Sequence, residues 1–245
     1  MKADPFVQER LLELPVIDQK LAQLAKEQRV SPLREQVTQT RAAAVKAEEA
    51  LVDTRTSIKD LQREITRAEQ DVQTVRSRVE RDQRTLESAG VSAKQVRDLQ
   101  HELASLARRQ SELEDVELEI MERLEQSTVG LQAAEQAMSD ADSAAELAAA
   151  AWDRRADEIA AETVALEQRR GQIIADLPGD LVALYEKVRA RSGQGAALLQ
   201  FGRCGACQLM LSSSDLDRVR AAASDEVVRC DECGAIMIRT GESGL

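Results

Sequence analysis

A chain of 245 residues has room for one large domain or two ordinary ones, yet aromatics make up 2% of it and charged residues 31%. So few aromatics exclude a wide globular core and suit long helices that bury a narrow apolar seam. A net charge of −11 weighs against a broad electrostatic grip on phosphates, although it leaves room for a local basic patch.

The opening residues, "MKADPFVQER", hold no apolar stretch of the signal-peptide kind. No run approaches the roughly 18 apolar residues that a membrane span needs. The expectation is a cytoplasmic protein without a membrane partner, in a compartment where thiols stay reduced.

Leu14, Ile17, Leu21 and Leu24 follow heptad spacing, but the next apolar step, to Val30, is six residues. Ser31 can cap a helix and Pro32 suits a first helical position, so the pattern predicts a shorter helix over roughly 5–29 and a kink near Pro32. From Val30 every seventh residue is apolar: Val37, Ala44, Leu51, Ile58, Ile65, Val72, Val79 and Leu86. A companion set, Leu33, Thr40, Ala47, Thr54, Leu61, Ala68, Val75 and Asp82, is small or apolar apart from its last member. This is a coiled-coil seam. It breaks at "ESAGVSAK", where Gly90 can supply a turn conformation and Ser92 can cap a new helix.

A second seam starts at Val96 and runs in sevens to Ile173, with Gln110 and Glu117 as its polar members. It predicts a helix of nearly 80 residues, about 120 Å long at 1.5 Å per residue. Folded antiparallel about Gly90, the seams pair apolar with apolar: Leu86 with Val96, Ile58 with Leu124, Leu51 with Leu131, Val30 with Trp152. Gln110 and Glu117 are expected to set register at some cost in stability. The hairpin occupies 1–177, and Pro178 ends its second arm. A short helix and linker over 178–197, with Asp180 as cap and Tyr185 on its apolar side, lead into a last module over 198–245.

All four cysteines lie in that module, as Cys204-x2-Cys207, twenty-two residues, and Cys230-x2-Cys233. Two such pairs supply four thiolates for one tetrahedral Zn2+, a closed structural site with no position left for a reacting water. The runs "ALLQF", "LML", "EVVR" and "AIMI" suit short strands, Ser214 can cap a helical turn, and Gly205 and Gly234 suit tight backbone. Because metal replaces a core in so small a segment, its removal is expected to unfold the chain from about 198 onward and spare the helices.

The chain resembles the bacterial C4-type zinc-ribbon proteins with a long helical hairpin. The resemblance rests on "SAKQVRDLQHELASLARRQSELEDVELEIMERLE" after the turn, on "LPGDLVALYEKVRAR", and on the cysteine knuckles with "CDECGAIM". It departs from the family's habit at Ala93–Val96 and at Ala235–Met237. It implies a non-enzymatic protein with relatives that act as adaptors, and nucleic acid as an alternative partner. Of functional residues it carries over the four cysteines.

The sequence thus reads as an adaptor whose coiled-coil stalk presents a zinc ribbon to a protein partner. The alternative is an RNA- or DNA-binding regulator using Arg203, Arg218, Arg220, Arg229 and Arg239. Against that alternative, the ribbon holds those five arginines and seven acids from residue 198 onward. The hairpin tip is mildly basic, with eight Lys or Arg against five acids over 76–109. A solvated coiled-coil surface accounts for that balance. His101, the one histidine, falls between seam positions, and Trp152 is expected to fill space beside the kink. No Gly-rich phosphate loop, Ser/His/Asp set or paired catalytic carboxylates occur, so no small-molecule substrate is expected.

Overall fold

The computed structural model describes residues 1–245, in two compact units. One joins Met1–Pro32 to Trp152–Leu245 and the other is Leu33–Ala151. In chain order the elements are α1 (Pro5–Arg10), α2 (Glu13–Arg29), α3 (Pro32–Glu87), α4 (Ala93–Ala175) and α5 (Gly179–Ser192). Strands β1 (Ala196–Gln200) and β2 (Arg203–Cys204), helix α6 (Ser213–Ala221), and strands β3 (Val228–Arg229) and β4 (Ile236–Ile238) follow.

The Leu33–Ala151 unit is an antiparallel pair formed by α3 and α4. Every seam position from Leu33 to Leu86, and from Val96 to Ala145, is buried or half-buried, with exposed residues filling most positions between. Leu51, Leu61, Ala68, Val72 and Leu113 are its most enclosed side chains. Ion pairs cross the seam in descending register: Arg55 with Glu135 at 2.9 Å, Arg76 with Glu114 at 2.7 Å, and Arg78 with Glu102. Gln110, a polar seam member, is accommodated by donating to Glu114 at 2.8 Å. The same carboxylate takes Arg76, so one polar link spans both helices. Asp82 is the exception, with one buried carboxylate oxygen that has no partner. At the turn Gly90 takes φ +99°, a left-handed value that glycine adopts without penalty. Ser92 then opens α4 with a reciprocal capping box: its hydroxyl accepts from the Gln95 N–H at 3.3 Å, and Gln95 Oε1 accepts from the Ser92 N–H at 3.0 Å.

In the other unit the predicted helix over 5–29 is two helices. Pro15 has no N–H to give the Leu11 carbonyl, which accepts from Leu14 N at 3.2 Å instead. That missing donor separates α1 from α2. Pro32 begins α3 as expected, but the pairing of Val30 with Trp152 fails. Val30 caps α2 in an extended conformation (φ −131°, ψ 96°), which turns its side chain out to 74% exposure. Trp152 is half-buried. The expected caps also move. Pro178, not Asp180, precedes α5, and Ser212 rather than Ser214 caps α6 by accepting from Asp215 N at 3.2 Å.

The core of this unit is Leu11, Leu14, Ile17, Ile173, Leu177, Leu181 and Tyr185, contributed by α1–α2, the end of α4 and α5. It contains a buried polar centre. Asp18 accepts from Arg170 Nε at 2.7 Å, Arg189 Nε at 2.8 Å and the Tyr185 hydroxyl at 2.6 Å. Nearby, Arg155 grips both oxygens of Glu27 at 2.7 and 2.9 Å, tying α4 to α2.

The strands form one sheet in the order β2-β1-β4-β3, with β1 and β4 parallel and the other pairs antiparallel. Of the runs read as strands, "LML" contributes only a bridge between Met210 and Arg203. The sheet begins at Ala196, which pairs with Ile236 and is fully buried. The ribbon boundary therefore lies two residues before the predicted 198. Side chains alternate across the pleat. Leu199 and Met237 pack with the cysteines, whereas Ala196, Ile236 and Ile238 join the helical core. One face of the ribbon thus belongs to the metal site and the other to the helices.

Candidate metal centre

The two cysteine pairs are brought together by the parallel pairing of β1 with β4. Cys204 ends β2, Cys207 follows in the first knuckle, and Cys230 and Cys233 lie in the loop between β3 and β4. Their sulfurs all lie within 4.8 Å of one another. Cys204 Sγ is 3.9 Å from Cys233 Sγ, and Cys207 Sγ is 3.8 Å from Cys230 Sγ. A tetrahedron of Zn–S bonds of about 2.3 Å sets sulfurs about 3.8 Å apart, so the donor set fits one zinc ion. No disulfide joins them.

The knuckles share a backbone plan. Gln208 N donates to the Cys204 carbonyl at 2.8 Å, and Gly234 N donates to the Cys230 carbonyl at 2.9 Å. The residue after each second cysteine is left-handed: Gln208 at φ +63° and Gly234 at φ +77°. Gln208 bears that conformation without being glycine, and its side-chain amide donates back to the Gly205 carbonyl at 2.6 Å. Gly205 serves a different need, since a Cβ there would stand 2.8 Å from the Leu198 carbonyl.

Electrostatics explains why this cluster calls for a cation. Burial pushes the Cys204 thiol up to about 12, and burial also raises that of Cys233. Backbone N–H groups of Ala206, Cys207 and Ala235 pull the other way. Cys207 is less enclosed. Burial again acts to raise its thiol, but the Leu209 N–H and the neighbouring thiols outweigh it, and the net shift is downward. Four adjacent thiolates are stable only beside a divalent ion, which fills its coordination with them and leaves no open position for catalysis.

The five arginines do not form one free cationic face. Arg239 donates to the carbonyls of Val219, Ala222, Ala223, Ser224 and Glu226 at 2.6 to 3.3 Å, binding the end of α6 and the loop after it. Arg218 pairs with Asp215 and Asp231, and Arg220 with Asp217 at 3.2 Å. Arg229 Nε donates to the Gly234 carbonyl at 3.1 Å and supports the second knuckle. Arg203 is exposed on β2. At the hairpin tip, Arg76, Arg78, Arg84 and Arg109 are all held in ion pairs.

Beside this site stands a residue that motif and periodicity do not single out. The β1–β2 turn places Phe201 and Gly202 both at positive φ, +48° and +71°. That is the two-residue hairpin turn that favours Asn-Gly over an aromatic. Phe201 is 76% exposed, and Leu209 and Met210 are exposed nearby in the ribbon. The "FG" pair at the end of an apolar run is the one signal of it in the sequence.

A coiled-coil hairpin that carries a four-cysteine zinc ribbon defines the class of this protein. Residues 14–193 match the CT398-like coiled coil hairpin domain and residues 203–237 the C4-type zinc ribbon domain, so the chain belongs to the CT398-like hairpin family. A protein of Mycobacterium tuberculosis is 42% identical over 246 residues, 98% of each chain. A solved structure from Mycobacterium smegmatis superposes with TM-score 0.84 at 34% identity, covering 98% of this chain and all of that one. CT398 of Chlamydia trachomatis superposes with TM-score 0.72 at 16% identity over 94% of this chain and 96% of its own, a likeness of fold. No helix is long and apolar enough to cross a membrane.

Proposed function

We propose that the protein is a non-enzymatic cytoplasmic adaptor in which a coiled-coil stalk carries a zinc ribbon that engages a protein partner. Phe201 carries this reading. A large apolar side chain held outward in a conformation that disfavours it is a cost to folding, and such cost persists where binding uses it. Leu209 and Met210 extend the apolar surface, whereas most of the ribbon's arginines are already committed to carboxylates or to backbone carbonyls. A closed four-thiolate site supports scaffolding over catalysis.

The test is site-specific photocrosslinking from position 201 in the source cell, with the zinc-loaded full chain. A defined protein adduct is expected, lost when Met210→Ser is added. Binding to RNA and DNA is measured in parallel as salt rises. A steep salt dependence abolished by Arg203→Ala with Arg229→Ala would replace this reading by a phosphate-binding one.

A further inference from the structure

Between α6 and β3 the chain forms a loop over 222–227, inside the span that separates the two cysteine knuckles. Arg239, just beyond β4, shapes this loop through its carbonyls. Residues from the other end of the sequence close onto it as a short antiparallel ladder. Ala3 N donates to the Asp225 carbonyl at 2.8 Å, and Val227 N donates to the Met1 carbonyl at 3.0 Å. Lys2 Nζ meets Asp225 at 2.9 Å. Gln8, only 3% exposed, donates to the Ala3 carbonyl at 2.8 Å and reaches toward the Ser224 carbonyl at 3.5 Å. Behind the ladder, Ala3, Val7 and Leu11 pack into the same core as Ile236, Ile238 and Val227.

We infer that the zinc ion acts as a latch for the Met1–Leu11 segment: metal at the four cysteines fixes the inter-knuckle loop, and the loop fixes this segment. The ladder has no partner of its own on α2 or α4 among these bonds; every long-range backbone bond of Met1–Ala3 goes to the loop. When the metal leaves, β3, β4 and the span between knuckles lose the ion that orders them. The donor and acceptor that hold Met1–Ala3 then lose their fixed positions, and the cover over Leu11 goes with them. The device is independent of what the ribbon binds, so it stands or falls apart from the adaptor reading. Linkage makes it reciprocal: if zinc secures the segment, the segment strengthens zinc binding by the same factor.

Hydrogen exchange by mass spectrometry on the full chain, zinc-loaded and after chelation, tests the forward direction. Protection of Met1–Leu11 should fall together with that of residues 204–233, while Leu33–Ala151 keeps its own. Retained protection at Met1–Leu11 in the metal-free protein would overturn the inference. For the reverse direction, Ala3→Pro removes the donor to Asp225, and zinc affinity is measured by competition with a chromophoric chelator. A weakening of about fivefold or more is expected. Gln8→Ala, which leaves the backbone intact, should shift affinity in the same direction. Wild-type affinity in both variants would refute the coupling.

Discussion

Tyr185 donates its hydroxyl to Asp18 over 2.6 Å, with the tyrosine wholly enclosed and the carboxylate also held by Arg170 and Arg189. Burial, then this hydrogen bond, pushes the phenol far above its ordinary value, so it remains a donor at any pH the fold survives. Removing the hydroxyl and removing the carboxylate should therefore differ. Tyr185→Phe should cost about 1–3 kcal/mol, the usual penalty for an abandoned buried partner. Asp18→Ala removes the buried acceptor of the phenol and leaves both guanidinium groups to Glu186 alone, and should cost about 3–5 kcal/mol. Denaturant unfolding at fixed zinc measures both. Equal costs would show that Glu186 alone satisfies both arginines.

The seam should respond to truncation according to burial and not to residue type. Leu61, 4% exposed on α3, should lose about 2–5 kcal/mol on substitution by alanine. Leu118, 58% exposed on α4, should lose less than about 0.5 kcal/mol. Helical circular dichroism on heating separates the two. A comparable loss at Leu118 would mean that another chain covers that face.

Metal content offers a direct check on the ribbon. Protein purified without chelator should hold one zinc per chain, and Cys230→Ser should lose it. Because burial pushes the Cys204 thiol up to about 12 without the ion, Cys204 holds its proton at neutral pH and must release it as zinc enters. Zinc binding should therefore release protons, and affinity should fall as pH falls. An affinity that does not change with pH around neutrality would contradict four thiolate ligands.

Phe201 should show opposite effects on stability and on binding. Phe201→Asn puts a residue suited to left-handed backbone before Gly202 and should stabilise the ribbon by about 0.5–1 kcal/mol. The same change should abolish the protein adduct formed from a photocrosslinker placed at position 209, on the neighbouring exposed leucine. A loss of stability would mean that the ring packs in the free protein, contrary to its 76% exposure.

Much of the architecture is legible in the sequence because a coiled coil is a local code. Residues seven apart lie on one stripe whatever else the chain does, so spacing alone marks Leu51, Leu61, Val72 and Ile173 for the burial they show. Pro32 and Gly90 mark the seam's ends for equally local reasons: a fixed φ and a tolerated positive φ. The metal ligands are legible because two Cys-x-x-Cys pairs have few other uses among reduced thiols. The expected Val30–Trp152 pair fails where that code stops, at an extended cap that turns Val30 outward.

What only the tertiary structure decided lies where distant segments meet. No motif or spacing singles out Asp18, Arg170 or Arg189, and they meet around the buried Asp18 carboxylate because α2, α4 and α5 converge there. Arg239 reads as a phosphate contact and instead holds the loop after α6, since folding brings the carbonyls of Ala222 and Ala223 within its reach. Met1–Ala3 carries no pattern at all, because two backbone hydrogen bonds to residues more than two hundred positions away ask nothing of side-chain identity. Periodicity and ligand spacing are written in neighbouring residues, whereas ion pairing and backbone pairing depend on which segments the folded chain brings within about 3 Å of each other.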